Sequence, residues 1–275
     1  MDEQHNSVDE KIEMLLDDII GTYGYDFTGY SKASLKRRII RLLTLDKWTD
    51  FDAFRKKILT EESYFVRFME QITVNVTEMF RDADFYIALQ KEVFPSLATY
   101  PFVRVWVAGC STGEEAYSLA IIMKELNILK KSLIYATDIN ATIIDYARKG
   151  VYSINKIKKF SDNYNQAGGK YHFSNYYSAN YSHGVLNDEI KEKVIFSTHN
   201  LVSDSSFNQF HLILCRNVLI YFDKELQAKV FDLFDNSIEN LGYIGLGNKE
   251  TLSFSGVSQK YKRVSIEKIW RKLVP

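Results

Sequence analysis

Residues 103 to 118 read Val-Arg-Val-Trp-Val-Ala-Gly-Cys-Ser-Thr-Gly-Glu-Glu-Ala-Tyr-Ser, an apolar run that stops at a glycine turn and resumes as a helix. Few folds accommodate that order. Val103, Val105 and Val107 alternate with Arg104 and Trp106 as a strand does, and Gly109 and Gly113 supply the turn. Glu114 and Glu115 suit the positive end of the helix that continues to Leu126. A second apolar run, Leu133 to Ala136, ends at Thr137-Asp138 and completes a βαβ unit. In a doubly wound sheet an acid in that place holds ribose hydroxyls, so the unit predicts an adenosine-containing ligand. Capping of the helix that begins near Ala141 is another use for Asp138, or for Asn140.

Glycine spacing selects among such ligands. It matches neither G-x-G-x-x-G nor G-x-x-x-x-G-K-S/T, the patterns that wrap backbone amides around phosphates. Two acids directly after Gly113 repel a pyrophosphate and suit a ligand with positive charge. S-adenosylmethionine, with a sulfonium and an ammonium, is such a ligand. Taken alone, Glu114 and Glu115 are equally well explained as complements to the helix dipole.

A chain of 275 residues, 46% of them hydrophobic, can bury a large core. Its formal net charge of +0 argues against a general nucleic-acid binder. Cys110 and Cys215 each end an apolar run and form no metal-ligand spacing, which points to buried thiols in a reducing compartment. The acidic N-terminus has no basic-then-apolar signal pattern. No apolar run approaches the ~18 residues of a membrane span. The expectation is a cytoplasmic protein with no direct membrane insertion.

From Ser31 to Ala108 there is no glycine, and Pro95 and Pro101 are the only prolines, as in a run of helices followed by a linker. An acidic helix is expected over 8 to 20, before Gly21, Gly24 and Gly29. Ser31 can cap the next helix, with Leu35, Ile39, Leu42 and Leu43 on one face and Arg37, Arg38 and Arg41 on the other. That basic face fits an acidic partner, or is a solvated helix surface. Segments 51 to 59 and 61 to 72 continue the bundle, with Phe65, Phe68 and Ile72 as core. In Asn75-Val-Thr77, Thr77 could cap a helix carrying Arg81. Ala141 to Arg148 is a second crossover helix stopped by Gly150. Residues 152 to 185 scatter Tyr152, Tyr164, Tyr171, Tyr176, Tyr177 and Tyr181 among Asn, Ser and Gly, which predicts a strand-and-loop insertion rather than a helix. Such a surface either binds peptide or packs on its own rings. Val194 to Ser197 and Phe210 to Cys215 read as buried strands ending at His199-Asn200-Leu201 and Arg216-Asn217. A helix from Lys224 to Asn240 stops at Gly242, and Tyr243 to Leu246 and Tyr261 to Ile266 suggest a closing hairpin.

Together these motifs resemble the chemotaxis receptor methyltransferases, the CheR family, over nearly the whole chain. The resemblance rests on Asn75-x-Thr77 with Arg81, the Ser-Thr-Gly-Glu-Glu turn at 111 to 115, Ala-Thr-Asp-Ile at 136 to 139 and Asn200-Leu201. Above all it rests on Cys-Arg-Asn-Val-Leu-Ile-Tyr-Phe at 215 to 222. It implies an α/β chain: an N-terminal helical, receptor-docking domain (1–80), a linker helix (81–102) and a doubly wound class I methyltransferase domain (103–275). A small antiparallel β insertion falls at about 152–190. It implies that Asn75, Thr77, Arg81, Glu115, Asp138, Asn200, Leu201, Arg216 and Asn217 line a pocket for S-adenosylmethionine, which leaves as S-adenosylhomocysteine. Arg81 and Tyr221 would flank the transferred methyl as catalytic residues, while Arg37, Arg38 and Arg41 would dock the substrate. The implied partner is a methyl-accepting chemotaxis receptor or a related acidic helical signalling protein. One departure is visible: the family's Gly-His-Ser-Glu is here Gly247-Asn248-Lys249-Glu250.

The implied reaction turns a glutamate side-chain carboxylate into a methyl ester. Such an acceptor is already an anion at neutral pH and needs no base. His199, beside Asn200, is the only histidine placed to approach the cofactor. Two rivals are a non-catalytic cofactor-binding scaffold of the same fold, and a nicotinamide-dependent dehydrogenase, which the glycine spacing disfavours.

Overall fold

The computed structural model describes residues 2–73 and 77–274, with side chains from Val8 onward. The chain divides into two units: Met1–Asn75 with Tyr221–Lys229, and Val76–Ile220 with Val230–Pro275. Asn75 lies outside the described residues.

The first unit is helical: α1 (Asp2–Tyr23), α2 (Lys32–Leu45), α3 (Phe51–Thr60) and α4 (Glu62–Ile72). Its core follows the three-and-four spacing of amphipathic helices. Ile12, Leu15 and Ile19 meet Leu35, Ile39 and Leu42, closed by Phe54, Ile58, Phe65, Phe68 and Ile72. The acids of α1 are partly neutralised at home, through Asp9 to Lys36, Glu13 to Lys32 and Asp18 to Arg55. Ser31 precedes α2 but gives it only its backbone carbonyl, to the amides of Ser34 and Leu35, and makes no side-chain cap bond. The 221–229 segment joins this unit by a bridge between Tyr30 and Phe222 and by bonds from Ser31 N to Tyr221 O and from Asp223 N to Gly29 O, both 2.7 Å.

The second unit opens with α5 (Ala83–Ala88), which passes through a π turn at Leu89–Val93 into α6 (Phe94–Leu97). This is the stretch expected as a linker helix. Phe85, Leu89, Val93, Phe94 and Leu97 are buried in the unit's own core. Thr77 caps no helix, and Arg81 stands before α5 rather than on it, because Phe80 and Asp82 take left-handed φ values of 55° and 58° that bar a helix there.

Strand and helix then alternate: β1 (Val103–Ala108), α7 (Glu114–Glu125), β2 (Ser132–Asp138) and α8 (Ala141–Lys149). The insertion follows, with β3 (Val151–Ser153), α9 (Ile154–Gln166), β4 (Tyr177–Asn180) and β5 (His183–Leu186) in an antiparallel sheet of order β3-β5-β4. The chain returns through α10 (Asp188–Lys191), β6 (Val194–Thr198), β7 (Phe210–Cys215), α11 (Lys224–Ser237), β8 (Ile238–Leu246), β9 (Tyr261–Ser265) and β10 (Ile269–Lys272). The large sheet has the order β6-β2-β1-β7-β8-β10-β9. Its first five strands are parallel, and β10 runs antiparallel between β8 and β9.

Three further expectations are corrected. A 13-residue helix, α9, stands where strand and loop were expected: Ser153 caps it, and Ile157, Phe160 and Tyr164 form a buried stripe. The helix from Lys224 ends at Ser237, not Asn240, because Ile238 already pairs with Phe210 in the sheet. The closing hairpin is β9 with β10, so the 243–246 and 261–266 runs are separated by a strand. The insertion's tyrosines divide. Tyr152, Tyr164 and Tyr176 are buried, and the latter two donate to the Glu125 carboxylate of α7; Tyr171 and Tyr181 are exposed.

Candidate functional site

Parallel pairing places the carboxyl ends of β6, β2, β1 and β7 side by side, with Ala108 opposite Thr137 and Asp138 opposite Thr198. The segments 109–114, 138–140, 199–201 and 216–218 therefore meet on one edge, where open α/β sheets bind ligands.

The turn after β1 is tightly specified. Gly109 has φ +74°, and a Cβ there would lie 2.4 Å from Val218 Cγ2. Its amide and that of Cys110 both donate to Thr137 O at 2.8 Å. Ser111 is held at φ 50°, a conformation that costs a non-glycine residue about 1 kcal/mol or more. Its amide donates to Asp138 Oδ2 at 2.9 Å, while Asn140 N donates to Oδ1 at 3.1 Å. Asp138 thus belongs to the turn, and the cap of α8 falls to Asn140, whose side chain accepts from Ile143 N. Burial raises the Asp138 carboxyl above its ordinary value, opposed by these backbone donors.

After β7, Arg216 is enclosed, its side chain 3% exposed. It donates to Glu115 Oε1 (2.8 Å), Asp82 Oδ2 (2.8 Å) and Arg81 O (3.2 Å), and its guanidinium lies 4.0 Å from the Phe85 ring centroid. Burial works to discharge it, but Glu115 and Asp82 outweigh that and its pKa is raised. Beside it Asn217 is left-handed at φ 62°. That loop is pinned by Glu250, whose Oε2 accepts from Gly247 N (2.7 Å) and Asn217 N (3.0 Å) and whose Oε1 accepts from Val218 N (2.9 Å) and Ile220 N (3.3 Å). The departure from Gly-His-Ser-Glu therefore changes only the exposed Asn248 and Lys249 and keeps the buried Gly247 and Glu250.

Of the residues expected at the pocket, Glu115 and the Arg81 carbonyl meet the Arg216 guanidinium, Asn217 follows Arg216 in the loop pinned by Glu250, and Asp138 belongs to the glycine turn. Asn200 and Leu201 follow β6, with Asn200 Oδ1 accepting from Val202 N at 2.9 Å. Thr77 is a half-buried coil residue. A cavity of about 370 Å³ lies beside Arg81, lined by Glu78, Phe80, Asp82, Ala83, Asn163 and Gln166. His199 gives its Nε2 to Ser205 O (3.2 Å) and packs its ring on Trp106 and Phe207. In the helical unit, Arg37 and Arg41 are exposed and have no ion-pair partner among the described residues. Arg38 differs: it donates to Ile72 O at 2.6 Å and lies over the Tyr221 ring, 4.9 Å from its centroid. The reading from sequence gave no site role to Asp82, Glu250, Tyr152 or Lys156, although Glu250 ends a motif already singled out and Tyr152 stands among the tyrosines of the insertion.

The edge suits a cationic ligand. Two carboxylates, Asp82 and Glu115, face the buried guanidinium of Arg216, and a third, Asp138, accepts from the Ser111 amide in the glycine turn. Ser111 Oγ, Asn140 Nδ2 and Arg216 Nε are buried without a hydrogen-bond partner among the described residues, the pattern left by polar groups that await a ligand.

Comparison with known proteins agrees with this chemistry. Residues 75–269 match the family model described as CheR methyltransferase, SAM binding domain, and residues 10–73 match CheR methyltransferase, all-alpha domain. A Pseudomonas putida protein named Cher3 is 40% identical over 97% of this chain and 98% of its own length. The chemotaxis protein methyltransferase of Listeria innocua is 31% identical over 83% and 85%, and chemotaxis protein methyltransferase 1 of Vibrio cholerae is 30% identical over 86% of both.

Proposed function

This chain belongs to the CheR methyltransferase family and is an S-adenosylmethionine-dependent methyltransferase, and on that premise we propose that it methylates glutamate side chains of a methyl-accepting chemotaxis receptor. The observation that carries the proposal is the acid-lined edge around Ser111, Glu115 and Asp138, built for a cationic cofactor in a chain whose both parts match the family. Bound there, S-adenosylmethionine supplies an electrophilic sulfonium methyl.

Asp138 offers its carboxylate to the ribose, and the Ser111 hydroxyl gains a partner when the site fills. Glu115 contributes negative charge toward the cationic end, and Arg216 fixes that carboxylate by a 2.8 Å bond. Thr77, Asn200, Leu201 and Asn217 complete the proposed cofactor pocket. Arg81 orients the acceptor carboxylate, and Tyr221 positions its attacking oxygen. A glutamate with a pKa near ~4.3 is ionised at neutral pH, so the protein's residues need only align and desolvate it, and no side chain has to remove a proton. In the helical unit, exposed Arg37 and Arg41 offer positive charge to an acidic receptor surface, while Arg38 supports Tyr221.

No helix among the described residues is long and apolar enough to cross a membrane. The test is a receptor in which the acceptor glutamates are replaced by alanine. Labelled methyl should enter the natural receptor and not the replaced one; equal labelling of both would reject glutamate as the acceptor.

A further inference from the structure

The insertion reaches the glycine turn through an ion pair whose carboxylate is buried. Glu114, the first residue of α7, is 0% exposed. Its carboxylate accepts from the Thr112 hydroxyl at 2.5 Å and from Lys156 Nζ, on α9, at 3.0 Å. Tyr152, on β3, donates its hydroxyl to the Thr112 carbonyl at 2.7 Å. Both polar groups of the Thr112 residue that face the insertion are thus held from it, the hydroxyl through Glu114 and the carbonyl directly. One residue earlier stands Ser111, left-handed and tied to Asp138. A strained non-glycine residue keeps its conformation only where its neighbours over-determine it, and here the insertion holds the next residue, Thr112.

We propose that Lys156 is a positioning residue for the cofactor: by neutralising Glu114 it holds the 109–113 turn in the shape that accepts S-adenosylmethionine, so the seating of the insertion sets cofactor affinity. This rests on that turn being the cofactor cradle. The groups facing Glu114 are Thr112, Lys156, the Cys110 thiol and the Tyr117 and Tyr152 hydroxyls. Lys156 alone among them brings a positive charge. Burial raises the Glu114 carboxyl, and Lys156 with Thr112 pulls it back. Without the ammonium, Glu114 takes up its proton at higher pH, and a protonated carboxyl no longer gives the Thr112 hydroxyl an anionic acceptor.

Calorimetric titration with S-adenosylhomocysteine between pH 5 and 8 tests this on the full chain. Lys156→Met should bind about tenfold more weakly at pH 7, about 1.4 kcal/mol, and its affinity should fall on acidification at a higher pH than in wild type. Lys156→Arg should restore both properties. In the Lys156→Met/Glu114→Gln double variant, which has no carboxyl to titrate, the displacement of the profile should vanish. The Lys156 side chain is 43% exposed, and thermal unfolding checks that its truncation leaves the fold in place. Wild-type affinity and profile in Lys156→Met would overturn the proposal, as would a loss that Lys156→Arg does not repair. Failure of the wild type to bind would instead sink the assignment of the turn as the cradle.

Discussion

Replacing Glu250 by glutamine removes a charge and no volume, yet it should be among the more damaging changes in the methyltransferase domain. Each carboxylate oxygen accepts from two backbone amides: Oε2 from Gly247 and Asn217, Oε1 from Val218 and Ile220. A glutamine keeps one oxygen and turns an NH2 toward the other two donors. A buried donor without an acceptor costs ~1 to 3 kcal/mol, so two cost ~2 to 6. The NH2 does least harm facing Val218 and Ile220, because the Ile220 bond is the longest of the four at 3.3 Å, which places the expected loss near ~3 kcal/mol. Urea unfolding of wild type and Glu250→Gln measures it. The same variant should bind S-adenosylhomocysteine more weakly, since the freed loop carries Asn217 at φ 62°. Stability within ~0.5 kcal/mol of wild type, the range of ordinary surface substitutions, would refute the view that this carboxylate holds the loop.

The Arg37→Glu/Arg41→Glu double variant should lower receptor methylation at least tenfold while leaving S-adenosylhomocysteine affinity intact, and wild-type methylation should fall steeply with salt. Arg38 is spared because it is committed to Ile72 and Tyr221; normal methylation by the double variant would make the basic face mere solvated surface. His199→Gln should retain most of kcat, at a cost of ~1 kcal/mol in stability from the lost Trp106 and Phe207 contacts. A loss of kcat beyond ~100-fold with cofactor affinity unchanged would show a general base at work. Burial raises Asp138, so its charge is present above that raised value and lost as pH falls through it. Cofactor affinity should therefore decline on acidification before the usual aspartate range near ~3.9 is reached. Asp138→Ala should weaken S-adenosylhomocysteine by ~1.5 to 3 kcal/mol and remove that part of the pH dependence; unchanged affinity would leave Asp138 with only its bonds to the Ser111 and Asn140 amides.

Where sequence reasoning succeeded, the governing contacts are local or periodic. The boundaries of β7 at Phe210 and Cys215 follow from an apolar run that only His211 interrupts, because a parallel strand covered on both faces has little polar side to show. The glycine turn and its acids are legible for the same reason: Gly109, Ser111 and Glu115 stand within a few residues of one another. The α9 helix was obscured by its Asn, Ser and Lys content, although Ile157, Phe160 and Tyr164 already carry the helical stripe. The short β10 strand has four residues and owes its place to pairing on both sides, with Gly245 and Ser265 opposite Ile269. The polar framework of the site was least legible. Arg216 finds Asp82 from 134 positions away, and Glu250 reaches back 33 to Asn217, and neither pairing leaves a trace in residue spacing.

The claim that most needs measurement is the chemical nature of the acceptor. Methyl-labelled S-adenosylmethionine, the purified protein and membranes bearing a cognate chemoreceptor should give labelled receptor. Mild base should then release that label as methanol, because a carboxyl methyl ester hydrolyses where methylated nitrogen does not. Label that survives base on the receptor would contradict methylation of a glutamate carboxylate.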